Sequence, residues 1–180
     1  MTRVAIQGVS GSYSEEAVRK LLGKDASIVE CRTFEETFSA VRLGDADSTI
    51  VPVQNKIVGE IRKPMELLKA GSFHVLETMS LKVQHVLVGT PGAEPGNLVS
   101  VRSHIEALKQ CRKFLAAHPN LTQIVGADTA SSVRRIVEEG NPANAAIGSR
   151  RASELYGAKV LRENIADDID NWTTFYLVGR

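Results

Sequence analysis

The chain has 180 residues, 43% of them hydrophobic and 24% charged, with 22 basic and 21 acidic side chains and a formal charge of +1. That composition suits one sizeable core or two small ones and excludes a disordered chain, while the balanced charge, with no basic block, excludes the footprint of a nucleic-acid binder and leaves a small-molecule partner. The opening MTRVAIQGVSGSYS is too short in apolar residues and too rich in Gly and Ser for a signal peptide; no stretch approaches the roughly 18 apolar residues of a membrane span, so a cytoplasmic location is expected.

From the N-terminus, VAIQG (4–8), SEEAVRKLLG (14–23), SIVECR (27–32), FEETFSAVRLG (34–44) and STIVPV (48–53) alternate Val/Ile-rich runs with segments of helical period. This βαβαβ order predicts a mostly parallel sheet. PMELLKAG follows as a helix with Pro64 in its first turn, where a missing N–H costs nothing. HVLETMSLKVQHVLVG (74–89) is one long extended stretch with no turn dipeptide inside it. After the loop TPGAEPGN (90–97) the alternation resumes with VSVRS, the helix HIEALKQCRKFLAAH, QIVGAD, the helix ASSVRRIVEEG, AAIGS, the helix RRASELYG, and KVLREN. The polar bend IADDIDNW then leads into a final strand, TTFYLVG, able to return to the first unit. The predicted fold is α/β, with two α/β lobes joined by crossing strands around a central cleft. Residues 1–78 plus 164–180 are assigned to lobe 1 and 79–163 to lobe 2.

Cys31 and Cys111 lie far apart with no CxxC or Cys/His spacing, so neither a disulfide framework nor a zinc site is predicted. Cys111 shares an apolar stripe with Ile105, Leu108 and Leu115 on a predicted helix, the placement of a buried, inert thiol. None of the four histidines pairs with another at metal-ligand spacing: His74 and His118 fall at element ends, His85 in a crossing strand, and His104 beside Ser103 at a helix start.

Several strands run directly into a Ser or Thr that opens a helix: Ser12 and Ser14 after VAIQGVSG, Thr33 in TFEE, Ser103 in SHIE, Thr129 in DTASS and Ser149 in GSRRA. Each can cap its helix, and TFEE and SHIE have the form of capping boxes, with Glu36 and Glu106 at the third helical position. In a parallel sheet the carboxyl ends of the strands share one edge, so these helix N-termini gather there with backbone N–H groups and positive dipole ends, an arrangement that favours an anion. In GVSGSYS (8–14), Gly8 and Gly11 let the backbone approach a ligand closely while Ser10, Ser12 and Ser14 supply hydroxyls; lacking Gly-Lys-Ser/Thr and GxGxxG, it is not a nucleotide loop. VPVQNKIVGE (51–60) presents Gln54, Asn55 and Lys56 where the third strand ends, although loop polarity alone accounts for such residues. GSYS, QNK, RSH, DTA and NWTT all fall at predicted strand ends, which in a two-lobed fold face the cleft.

GVSGSYSEEA, CRTFEETFSAV, GDADSTIVPVQNKIVGEI, VQHVLVG, VRSHIEALKQCRKFL, ADTASSV, AAIGSRRASELYG and NWTTF together resemble, in order and over essentially the whole chain, the catalytic domain of prephenate dehydratase. The resemblance implies an architecture similar to type II periplasmic binding proteins, with the ligand in the cleft, and an activity in which prephenate, a dicarboxylate ring acid, loses water and carbon dioxide to give phenylpyruvate. It also implies a homodimer and no metal or organic cofactor. Many family members carry a C-terminal domain that senses phenylalanine; with 180 residues, a chain without one is expected here.

The departures from the family pattern concern charge. Its closing Thr-Arg-Phe is Thr173, Thr174, Phe175 here. Its Pro-Ile-Glu-Asn-Ser/Thr is Pro52, Val53, Gln54, Asn55, Lys56, and its Tyr-Ser-His-Pro-Gln is Arg102, Ser103, His104, Ile105, Glu106. Loss of an arginine from a site for a dianion is not neutral, and Lys56 and Arg102 arrive as new cations at the same edge. Glu106 is either a capping-box acid or a proton-transfer group.

By resemblance, Thr173 donates a hydrogen bond to the departing hydroxyl, Asn55 and the Ser12/Ser14 loop fix the carboxylates, and Thr129 lines the opposite lobe. Lys56, Arg102, Ser103, Glu106 and Thr174 complete the expected binding set. Tyr13 and Trp172 either wall an apolar ring pocket or pack structurally. Two further functions fit the altered motifs: decarboxylation that keeps the ring hydroxyl or acts on a modified prephenate, and acid binding without turnover.

Overall fold

The computed structural model describes residues 2–180. In chain order its elements are β1 (Arg3–Gln7), α1 (Tyr13–Leu22), β2 (Ser27–Cys31), α2 (Phe34–Leu43), β3 (Ser48–Asn55), β4 (Gly59–Glu60), α3 (Arg62–Ala70), β5 (His74–Lys82), β6 (Val86–Gly89), β7 (Ser100–Ser103), α4 (Ile105–Gln110), α5 (Arg112–Ala116), β8 (Thr122–Val125), α6 (Thr129–Glu139), β9 (Asn144–Gly148), α7 (Arg150–Tyr156), β10 (Lys159–Arg162) and β11 (Trp172–Gly179). They form two compact units: the chain up to Val83 together with Asp170–Arg180, and Gln84–Ile169.

The first unit's sheet has the order β2-β1-β3-β11-β5, with β4 folded back on β3. It is mixed, where the βαβαβ pattern predicts a mostly parallel sheet: β1 is parallel to β2 and β3, but β11 runs antiparallel to both β3 and β5. Because β11 runs against β3, its first residues meet the last residues of β3, and Thr173 pairs with Asn55. The strand period of two divides the side chains between the sheet's faces. Ile6, Ile50, Phe175 and Leu177 pack with Ala17 and Val18 of α1 on one face; Val51, Val53 and Val178 pack with Phe38 of α2 on the other. Burying each such aliphatic or aromatic side chain stabilises the fold by about 1.5–3 kcal/mol. Phe38 meets the edge of Phe73, with centroids 4.9 Å apart.

The chain leaves this unit after Val83 and returns at Asp170, later at both points than the expected division at 78/79 and 163/164. Backbone pairing is the reason: Leu81 and Lys82 still pair with Thr173 and Trp172, and the Val83 N–H donates to the Asn171 carbonyl at 2.8 Å.

The second unit's sheet has the order β10-β6-β9-β7-β8, with parallel β7–β8 and β7–β9 pairs and antiparallel β6–β9 and β10–β6 pairs. One face buries Leu87, Val101, Ala145 and Ile147 against Leu108, Cys111 and Leu115. On the other face α6 presses close to β9: a Cβ at Gly148 would stand 2.5 Å from Val133 Cγ2.

The single predicted helix across 104–118 is two helices, broken at Cys111. The returning segment takes the backbone groups the helix would have used. Asp167 N–H donates to the Gln110 carbonyl at 2.7 Å, and Lys113 N–H donates to Asp167 Oδ1 at 2.9 Å. Cys111 is fully buried, and that burial pushes its thiol up to about 12, leaving it protonated. Ile105, expected on the same stripe, is 39% exposed.

Candidate active site

A buried polar cluster of the first unit lies where β3 ends and β11 begins. Asn55 is buried, and its Oδ1 accepts from the backbone N–H groups of Ile57 (2.9 Å) and Val58 (3.0 Å). This closes the short turn into β4, which Gly59 completes with φ of 88°. The Asn55 Nδ2 group donates to Asn171 Oδ1 at 2.9 Å and Thr173 Oγ1 at 2.8 Å, with a longer 3.3 Å contact to the Trp172 carbonyl. Thr173 is itself only 6% exposed. Its oxygen is an acceptor in this bond, and among the described residues no acceptor takes its proton. A buried hydroxyl with its donor capacity unspent can stabilise charge that develops on a bound oxygen.

Lys56 and Thr174 flank this pair. Lys56 forms an ion pair with Asp170, whose other oxygen accepts from Trp172 Nε1 at 2.9 Å. These bonds, that from Lys56 foremost, hold the Asp170 carboxyl below its usual range. Lys56 is therefore a charge already matched within the chain. Thr174 follows Thr173 along the strand and so projects from the opposite face, where its hydroxyl lies 3.2 Å from that of Ser80.

Ser12 and Ser14 are buried at the start of α1. Ser12 caps that helix, accepting from Glu15 N–H at 3.3 Å. Tyr13 packs on the cluster that contains Leu81 and Phe175, so this helix start lies over the face from which Thr173 projects. Several of the loop's N–H groups are engaged within the chain. Gly8 N–H donates to the Cys31 carbonyl at 2.8 Å, Ser10 N–H to Glu30 Oε1 at 2.6 Å, and Gly11 N–H to Glu15 Oε2 at 2.6 Å. Glu15 is buried and also holds Arg19 at 3.0 Å.

The remaining candidates belong to the second unit. Ser103, fully buried, donates its hydroxyl to the Ile147 carbonyl at 2.7 Å and so clamps β7 to β9. The expected Ser103 cap and SHIE capping box do not form: His104 is the cap, its Nδ1 accepting from Glu106 N–H at 3.2 Å, and Glu106 pairs with Lys109 at 2.9 Å. Likewise Asp128, not Thr129, caps α6, accepting from Ser131 N–H at 2.7 Å; Thr129 is the first helical residue. Arg102 lines a hollow of about 500 Å³ beside α6, with Gly126, Ser131, Arg135 and Glu139. His85, beside the crossing, is buried against Gln110 Oε1 at 2.8 Å, and burial depresses its basicity. Among the described residues, no cluster of three His, Cys, Asp or Glu is placed to hold a metal ion, and no helix is long and apolar enough to cross a membrane.

Residues 4–180 match the family model of prephenate dehydratase. The chain belongs to that family. It is 35% identical over 178 residues to arogenate dehydratase/prephenate dehydratase 1 of Arabidopsis thaliana, covering 99% of this chain and 45% of the relative. It is 37% identical over 179 residues to arogenate dehydratase 1 of Petunia hybrida, covering 99% and 42%. Among solved structures, prephenate dehydratase from Arthrobacter aurescens in complex with L-Phe matches with a TM-score of 0.90 and 29% identity, covering 100% of this chain and 60% of that one. The chain thus spans less than half the length of these curated relatives.

The dehydratase family motifs lead to Asn55 and Thr173 but not to Asn171 and Asp170, which complete their surroundings, nor to Glu15, which ties down the loop before α1. Asn171 and Asp170 lie in a bend whose polarity is ordinary for a loop. The signal for Asn171 was its place beside Trp172 and Thr173, directly ahead of a buried strand. Glu15 had a sharper signal, since Ser12–Glu15 has the same S-x-x-E form as a capping box. Its carboxylate reaches Gly11 N–H, one residue ahead of the cap, just as Glu36 reaches Arg32 N–H at 2.7 Å ahead of Thr33.

Proposed function

We propose that this chain is a dehydratase acting on prephenate or on arogenate, its α-amino counterpart. Family membership supports the reaction class, and one observation carries the assignment of the site: the Thr173 hydroxyl, buried, accepting from Asn55 and keeping its proton for a ligand. In the reaction the bond from the ring to its carboxylate breaks and carbon dioxide leaves. Its electron pair enters the ring as the hydroxyl departs, and that oxygen takes up a proton to become water. Aromatisation drives the change, so the protein has chiefly to desolvate the carboxylate and stabilise charge on the departing oxygen. Threonine is a weak acid; Thr173 acts by a hydrogen bond that strengthens as this charge develops, an effect of about 10²–10³ in rate for one such donor. Asn55 acts through Thr173: its amide is saturated by protein partners, which suits a positioning group better than the carboxylate ligand implied by resemblance. Ser12 and Ser14, at the start of α1 over the face from which Thr173 projects, would meet the substrate's polar groups.

Incubation with each acid near neutral pH, followed by ultraviolet absorbance and NMR, tests the reading. An aromatic product together with carbon dioxide supports it; unchanged acid, with or without a thermal shift, refutes it. A second reading, decarboxylation that retains the ring hydroxyl, is favoured by one specific feature. Thr174 stands where the family has arginine, and Lys56 is matched by Asp170, so the motif's own cation is missing beside Thr173 on its strand. A non-aromatic product that keeps the ring hydroxyl, a keto acid from prephenate or an amino acid from arogenate, would select it.

A further inference from the structure

Asn171 is completely buried in the bend before β11. Its backbone carbonyl accepts from Val83 N–H at 2.8 Å and its Oδ1 from Asn55 Nδ2 at 2.9 Å. Asn55 already has a structural use, since its Oδ1 satisfies the Ile57 and Val58 N–H groups, but Asn171 is a second fully buried amide set against it, and its side-chain oxygen is taken up by Asn55 Nδ2. The Asn55 amide is fixed end for end, because a flipped amide would set its NH₂ against the N–H groups of Ile57 and Val58. Nδ2 carries two hydrogens. With one drawn to Asn171 Oδ1, the other goes to Thr173 Oγ1 at 2.8 Å in preference to the Trp172 carbonyl at 3.3 Å. A strand threonine left alone can turn its hydroxyl onto nearby backbone carbonyls; here its lone pair is occupied first.

We infer that Asn171 is a positioning residue for the dehydratase reaction: by accepting from Asn55 Nδ2 it sets the Asn55 amide so that Thr173 is held as an acceptor toward the protein and a donor toward the departing hydroxyl. The catalytic half of this inference rests on the proposed function; the hydrogen-bond arrangement does not. Asn171 touches no reacting atom, and its effect passes through Thr173.

The test is a double-mutant cycle of Asn171→Leu, which keeps the volume and removes the acceptor, with Thr173→Val. Kinetics are measured on prephenate and arogenate, and the Asn55 side-chain amide is followed by NMR. Asn171→Leu alone is expected to lower kcat about tenfold to fiftyfold with KM changed less than about threefold. In the Thr173→Val background it should cost less than about twofold. The Asn55 amide hydrogens should exchange slowly in the wild type and faster in Asn171→Leu. An equal loss in both backgrounds, or full kcat in a folded Asn171→Leu protein, overturns the inference. Should Asn171→Leu not fold, Asn171→Asp keeps the acceptor: kcat within about threefold of wild type sustains the inference, and a loss as large as that of Thr173→Val overturns it. If the wild type turns over neither acid, the proposed function fails, and the amide measurement still decides the rest. Asn55 hydrogens that exchange in the wild type like those of an exposed amide overturn the arrangement itself.

Discussion

Thr173 in the first unit and Ser103 in the second invite comparison. Both are buried hydroxyls at a strand's end, both lie in segments that match family motifs, and both stand beside residues that can hydrogen-bond. Thr173 receives a hydrogen bond from Asn55 and keeps its proton; Ser103 gives its proton to the Ile147 carbonyl and holds two strands together. Burial and residue type are alike in the two, so what separates a hydroxyl left free to donate from one spent on structure is the direction of its hydrogen bond. The neighbour dictates that direction: an amide NH₂ can only donate, and a carbonyl can only accept.

The largest effect should come from Thr173→Val, which keeps the shape and removes the donor. Turnover of the preferred acid should fall by about 10²–10³ with a melting temperature close to that of wild type; wild-type kcat in steady-state assays would erase the distinction. Ser103→Ala should show the reverse profile, with stability to urea reduced by about 1–2 kcal/mol and kcat within about threefold. A tenfold fall in kcat would put Ser103 in the site and break the comparison.

A third measurement concerns pH. Burial lowers the His85 pKa in the folded protein below the ordinary value of about 6.5. Between those two values the unfolded chain binds a proton that the folded chain does not, so stability is fully present above about 6.5 and is lost as pH falls. Denaturation between pH 5 and 8 should show a slope of up to about 1.4 kcal/mol per pH unit below 6.5, absent in His85→Gln. An unchanged slope in that variant would place the titrating group elsewhere. The smallest effect is expected from Lys56→Met. It breaks an exposed pair with Asp170 and should raise KM about threefold or less, and less still in high salt. A rise of tenfold or more would show that Lys56 meets the substrate as a charge despite its partner.

Much of the fold was legible because alternating Val/Ile runs and helical periods report burial directly: Ile50 and Val51 point to opposite faces as a strand requires. What escaped was decided by partners distant in sequence. The break at Cys111 exists because Asp167 captures backbone groups on both sides of it, and nothing local in HIEALKQCRKFLAAH encodes that. The mixed first sheet follows from the direction of β11, which the apolar run TTFYLVG does not specify. At the site, the motifs singled out Asn55 and Thr173 as types, but their 2.8 Å bond and its polarity depend on antiparallel register. In the GVSG loop, too, partners outside the loop decide the outcome: Glu30 takes the Ser10 N–H and Glu15 the Gly11 N–H.

The position of β11 between β3 and β5 has a consequence for biosynthesis. Residues 84–169 are contiguous and can complete their own sheet as soon as they leave the ribosome. β3 and β5 emerge earlier yet must wait for residues 172–179, roughly 5–20 s at about 5–20 residues per second. During that interval the nascent chain exposes two unpaired strand edges, the kind of surface that chaperones shield and that neighbouring copies capture. The strand that carries Thr173 is thus also the one that closes the window for misassembly.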